Sequence, residues 1–172
     1  MRNTERIMAI DLRRSRFGYA VLDGPNVLLE WGSGEMWANG KKRGEFKNTR
    51  LRSALRVSSP ATVVVRRSQY RGSLDSLLKD RLLRQIKRDA SGDSIPVAMI
   101  SQDEIRRAFH LPKRASKYRI ASAVARKFPE LRAKPPVTRK AWEPELHSII
   151  IFDTIAAGLA YLRPDGVSET PE

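Results

Sequence analysis

The stretch Arg6–Asp23, RIMAIDLRRSRFGYAVLD, decides the fold. Ile7 to Ile10 is an unbroken apolar run. At that length it reads as a strand buried on both faces of a sheet. The run ends on Asp11. The chain then turns through Leu12-Arg13-Arg14-Ser15-Arg16, and Gly18-Tyr19-Ala20-Val21-Leu22 returns as a second strand. A carboxylate at the mouth of a central strand leaves the sheet edge, where it can hold a cation. The three arginines beside it can attract phosphate. The same residues also suit a plain hairpin in which Asp11 only caps the turn.

Working outward, Val27 to Trp31 follows a Gly-Pro-Asn turn and predicts a third strand, completing an antiparallel meander. Trp37 to Gly44 is a polar loop. Glu45 to Val57 has roughly helical apolar spacing and carries Lys47, Arg50, Arg52 and Arg56, which predicts a short helix with a basic face. Ser58-Ser59-Pro60 stops it. Thr62 to Val65 is β-branched and apolar, a second buried strand, and runs out into Arg66-Arg67. A long helix, Leu74 to Ala90, starts at Ser73 or Asp75 and carries an apolar stripe through Leu78, Leu82 and Ile86. Ile95 to Ile100 is a third buried strand. Ser101 with Glu104 forms a capping box that opens a helix to Phe109. Ser116 caps a helix from Lys117 to Phe128. Pro129 to Pro144 contains four prolines and no period, and reads as a loop. The last helix runs from Glu145 to Leu162, before Arg163-Pro164. Strands first, then helices alternating with strands, give an α/β chain: a mixed sheet with helices on both faces. Residues 1–164 are expected to form one domain and residues 165–172 a polar, frayed tail.

The 172-residue length suits a single core, and 41% hydrophobic residues is ordinary for a globular protein. No apolar run is long enough to span a bilayer, and MRNTER lacks the apolar stretch of a signal peptide. The absence of cysteine excludes disulfides and thiolate metal sites and fits a reducing, cytoplasmic setting. Two histidines are too few for a histidine-built zinc centre. The charge is the informative quantity: 33 Lys plus Arg against 19 Asp plus Glu, a net +14, with a pI near 10.7. Such an excess speaks about partners, and the usual one is a nucleic-acid backbone. No basic amphipathic helix with large apolar residues stands out, so no membrane partner is expected.

Four segments then point one way. They are DLRRSRFGYAV from Asp11 to Val21, IPVAMISQDEIRRA from Ile95 to Ala108, RASK from Arg114 to Lys117, and FDTIAAGLAYL from Phe152 to Leu162. In this order they resemble the RuvC-type Holliday-junction resolvase family. The resemblance implies a ribonuclease H-like fold, a mixed five-stranded sheet in the order 3-2-1-4-5. It also implies a nuclease in which four acids hold two Mg²⁺ ions that clamp the attacking and leaving oxygens of a phosphodiester. Asp11 matches the first acid and Asp153 the last, as catalytic and metal-binding residues. The small residues Ala156, Ala157 and Gly158 would let the last helix lie close enough to bring Asp153 to Asp11.

The other two acids depart from the pattern. Where the family ends its fourth strand in Glu, this chain has Arg66. One helical turn before Asp153 stands Ile150. His147 and Glu145, with Glu143, are the nearest substitute ligands. A guanidinium there repels divalent ions and can instead pair with Asp11 or Asp153. Arg106 and Lys117 match basic positions near the scissile phosphate in the family. The candidate nucleic-acid contacts are Arg13, Arg14, Arg16, Arg66, Arg67, Arg106, Arg114 and Lys117, with Trp37 and Tyr70 as candidate stacking residues. The expectation is a protein that binds branched or structured nucleic acid, DNA ahead of RNA, with an impaired two-metal nuclease site and weak or absent Mg²⁺. The alternatives are an active Mg²⁺-dependent junction endonuclease and an RNA-binding subunit of a nucleoprotein assembly. A homodimer is among the expected partners.

Overall fold

The computed structural model describes residues 5–13, 16–35, 49–67, 80, 83–90, 94–133 and 148–167. The strands are β1 (Arg6–Leu12), β2 (Arg16–Asp23), β3 (Val27–Glu35), β4 (Thr62–Arg66) and β5 (Val97–Ile100). The helices are α1 (Thr49–Ser58), α2 (residues 83–90), α3 (Gln102–Ala108), α4 (Lys117–Lys127) and α5 (Ile149–Leu162). The sheet runs β3-β2-β1-β4-β5, the expected order, with β1 in the middle. β1 is antiparallel to β2 and parallel to β4, which is in turn parallel to β5.

The apolar run of β1 is buried on both faces because both faces are covered. Ile7, with Ala20, Leu22 and Val64, faces α3, α4 and α5. Met8 and Ile10, with Phe17, Tyr19, Val63 and Val65, face α1 and α2. This is the two-residue period of a strand read on a sheet with two cores. α5 lies on the first face, where Gly158 meets Ile7, Ala9 and Leu22 and the neighbouring Ala156 and Ala157 are buried. A Cβ on Gly158 would sit 2.6 Å from Leu22 Cδ1 and 3.2 Å from Ala9 Cβ, so a larger residue here would displace the end of the Leu22 side chain.

Several boundaries differ from expectation for physical reasons. β3 runs on to Glu35, past the expected end at Trp31. The glycines stay in the ladder because the rings of β2 lie over them: a Cβ would sit 2.9 Å from the Tyr19 ring at Gly32 and 2.6 Å from the Phe17 ring at Gly34. β5 starts at Val97, not Ile95, because the Ile95 amide donates to the Ala90 carbonyl and closes α2. Pro129–Ala133, expected as loop, is a 3-10 helix that buries Leu131. Ser101 and Glu104 form the expected reciprocal cap, whereas Ser116 sits at the N-cap of α4 without a capping bond from its side chain. Val167, at the start of the expected frayed tail, is buried and donates its amide to Ala108 O at 2.8 Å. Ser73, Asp75, Trp37 and Tyr70 lie outside the described residues, as do residues 134–147 and 168–172. Among the described residues, no helix is long and apolar enough to cross a membrane.

Candidate functional site

The carboxyl ends of β1 and β4 lie side by side, with Ile10 opposite Val65. The next residue on each strand is therefore Asp11 and Arg66, leaving the sheet at one edge. On the other side of Asp11 its ladder partner is Gly18. A Cβ there would collide with the Thr154 hydroxyl of α5, so the glycine is what lets the first half of α5 settle against this edge. Asp153, next to Thr154, is thereby delivered to Asp11. Both carboxylates are buried, with 2% and 3% exposure.

Three cations meet them. Arg66 Nη1 donates to Asp11 Oδ2 at 2.9 Å and lies 3.9 Å from Asp153 Oδ2. Arg13 donates from Nε and Nη2 to Asp11 Oδ2 at 3.2 and 3.1 Å, and the same Nη2 donates to Asp153 Oδ2. Lys117 Nζ, at the first position of α4, stands 3.8 Å from Asp153 Oδ2. The remaining nitrogens of Arg66, Nε and Nη2, donate to the Gln102 side-chain oxygen at 3.1 and 2.5 Å. Arg66 is thus held from two sides, and the cluster carries three positive charges against two negative. Charge-assisted bonds of this kind are roughly twice as strong as neutral ones. Burial pushes the Asp153 carboxyl above the usual carboxylate range. Arg66 and Arg13 pull it back, Asp11 pushes the same way as burial, and Lys117 pulls it back again.

Guanidinium groups occupy the space between the two carboxylates. The Oδ2 oxygens of both aspartates are taken up by guanidinium groups. Arg66 ends β4 beside Asp11, and Ile150, one helical turn before Asp153, is a buried apolar side chain. Among the described residues, no group of three or more His, Cys, Asp or Glu side chains could hold a metal ion. The substitute ligands His147 and Glu145, with Glu143, lie outside the described residues.

The other predicted residues are dispersed. Arg16 leans on Glu35 across the β2–β3 ladder at 3.9 Å. Arg67 is exposed, and its amide donates to Ile100 O at 2.7 Å. Arg106 is 3.4 Å from Asp103 on its own helix. Arg114 is exposed in the turn before α4, and Arg14 lies outside the described residues. Gln102 was not singled out from the sequence. Its signal was its place directly after the Ser101 cap, which fixes it on the first turn of α3 at the end of β5.

Neither a protein-family model nor a curated protein matches the chain. Solved structures do match in shape. Thermus thermophilus RuvC in complex with a Holliday junction substrate is 17% identical with a TM-score of 0.70, over 92% of this chain and 93% of that one. A second Thermus thermophilus RuvC structure is 16% identical with a TM-score of 0.66, over 90% and 92%. A Fowlpox virus resolvase in complex with Holliday junction DNA is 13% identical with a TM-score of 0.53, over 91% and 96%. At these identities the likeness establishes the fold, a ribonuclease H-like sheet of the RuvC kind.

Proposed function

We propose that this protein binds branched DNA through the basic edge around Asp11 and Asp153, and that two-metal phosphodiester cleavage is blocked there. The observation that carries the reading is Arg66, bonded to Asp11 and in reach of Asp153 from the position a metal-binding acid would take. Two buried carboxylates without counter-charge are costly. Here Arg66, Arg13 and Lys117 supply that charge, and one positive charge remains in excess at the sheet edge. The aspartates then act as anchors that hold the arginine forks in place. Such forks suit phosphate oxygens, which fix a protein on nucleic acid without reading its sequence. The net +14 of the chain favours the same partner. Two of the three solved structures similar in shape were bound to Holliday junctions, which favours a branched DNA over a linear one for this chain.

Purified protein, a labelled four-way junction and a matched linear duplex test the reading. Binding is expected to favour the junction and to weaken steeply with salt, each neutralised phosphate contributing about 0.9 to the log–log slope. With Mg²⁺ or Mn²⁺ the junction should stay intact. Strand cleavage that disappears in Asp11→Asn would replace this reading by an active endonuclease. Affinity for a structured RNA well above that for the junction would replace it by the RNA-binding subunit.

A further inference from the structure

We propose that α1 and α2, on the opposite face of the sheet from α5, form a second binding surface for the phosphate backbone of duplex DNA. This deepens the reading above and rests on it. α1 contains no acidic residue and exposes Arg50, Arg52 and Arg56; α2 exposes Arg84, Lys87 and Arg88. The spacing places Arg52 above Arg56, and Arg84 above Arg88, each one turn or about 6 Å apart along its helix.

The two helices are fixed side by side. Leu51 and Leu55 of α1 and Ile86 and Ala90 of α2 share the core that covers Met8 and Ile10. At the surface, Arg52 donates from Nε and Nη2 to the two oxygens of Asp89 at 3.0 and 3.1 Å, a fork that ties α1 to α2. Asp89 is the one acid among residues 83–90, and this fork engages both of its oxygens; Asp80, helical and exposed, lies one turn before Arg84. A cleft of about 340 Å³ lies here, lined by Arg52, Leu55, Arg56 and Asp89. Arg50, exposed like the others, donates to the Tyr19 hydroxyl at 3.0 Å. Arg56, Arg84 and Arg88 are the exposed arginines on which the surface rests.

The chemistry of the layer selects the partner. Val57 is its single exposed large apolar residue among those described, which is too little to enter a lipid surface. No exposed aromatic ring stands on α1 or α2 for stacking on unpaired bases. Cations at regular helical spacing on a two-helix layer match the repeating charge of a duplex backbone. This surface and the aspartate edge belong to different layers of one small sheet, so one chain can hold two arms of a branched DNA. That gives a preference for branches without a single base contact.

The test uses the full chain with Arg56→Ala, Arg84→Ala and Arg88→Ala combined, titrated with a labelled four-way junction over a series of salt concentrations. The log–log slope should fall by about 2 to 3, at 0.9 per lost phosphate contact. A control variant with Arg107→Ala, Arg126→Ala and Arg163→Ala removes the same charge elsewhere and should change the slope by less than about 1. Saturating junction should also protect Lys87 of the wild-type protein from acetylation, a readout that needs no variant to fold. A triple variant with the wild-type slope, or a Lys87 acetylated equally with and without junction, overturns the inference while leaving the aspartate-edge reading standing. A wild-type protein that binds no nucleic acid overturns both. Tighter binding of polyglutamate than of junction, lost in the same triple variant, overturns it in favour of an acidic protein partner.

Discussion

Replacing Arg66 by Ala removes a cation that bonds one buried aspartate and faces the other. The loss can be worked from its contacts. The bond to Asp11 at 2.9 Å is charge-assisted and buried, a class that contributes about 1.5–3 kcal/mol. The Gln102 oxygen, which accepts from two nitrogens of Arg66, is left without either donor in a site where Gln102 is 7% exposed, at about 1–3 kcal/mol. Arg13 remains to serve both carboxylates, so the expected loss is about 3–5 kcal/mol at pH 7, the range for breaking a buried pair. The pH dependence has a definite sign. Burial already raises the Asp153 carboxyl, and Arg66 is the largest influence pulling it down. Without Arg66 the carboxyl rises further. A raised native-state value means that the folded chain holds its proton more tightly than the unfolded one, so stability is lost as pH rises from about 4 through the raised value. The deficit of the variant should therefore shrink on going from pH 7 to pH 5. Urea unfolding followed by circular dichroism measures it, with an unchanged m-value confirming that the unfolded state is the same. Arg66→Met, which keeps most of the volume, should show the same pH trend. A deficit below about 1 kcal/mol at pH 7, or one that grows on acidification, would refute the buried-anchor argument.

Arg66→Glu should turn a flat thermal-shift response to Mg²⁺ into a stabilisation, by about 2.7 kcal/mol at a metal concentration 100-fold above the dissociation constant; calorimetry that detects no Mg²⁺ binding by this variant would count against the assignment of the third-acid position. Gly18→Ala forces a Cβ onto the Thr154 hydroxyl and to 3.1 Å from the Ile150 carbonyl oxygen, and should cost about 1–3 kcal/mol in a thermal melt. Gly158→Ala should cost less, since its nearest contact at 2.6 Å is the end of the flexible Leu22 side chain. Ser101→Ala should cost about 1 kcal/mol at pH 7. The Ser101 side-chain and backbone bonds hold Glu104 below its ordinary value of 4.5, so the contribution of the cap is complete above that pH and fades as pH falls through the lowered value. The Ser101→Ala deficit should accordingly be smaller in acid.

The middle of the sheet was legible because its signals are local. Ile7 to Ile10 has no polar residue to turn toward water, so it had to be covered on both faces, and β1 is. Asp11 ends that run and Arg66 ends the next, so both leave the same edge once the two strands are parallel. Asp153 could be placed because the small residues Ala156, Ala157 and Gly158 let α5 pack closely, Gly158 directly against β1 and β2. What stayed hidden depends on which segments meet. Gly32 and Gly34 carry no strand signal of their own; the rings that keep them in the ladder come from β2. Leu131 is one apolar residue among prolines, and only its place beneath α4 makes it core. Gln102 looks like any polar helix residue until Arg66 is paired in register with Ile100, which brings the Arg66 side chain to the start of α3.

The arginines of the first turn show the same limit from the other side. As a sequence, Arg13, Arg14 and Arg16 are interchangeable candidates for phosphate contact. The hairpin separates two of them. The Arg13 amide donates to Arg16 O at 2.8 Å, and from there Arg13 reaches inward to both aspartates while Arg16 reaches sideways to Glu35. A run of like charges holds no information about which member becomes a counter-ion. That choice is made by the acids, because a carboxylate at 2% or 3% exposure must find compensating charge and one on the surface need not. The acids follow from strand ends and small helix residues, both of which the sequence displays. The cations that answer them follow from the distance between β1, β4, α4 and α5, and that distance exists only in the fold.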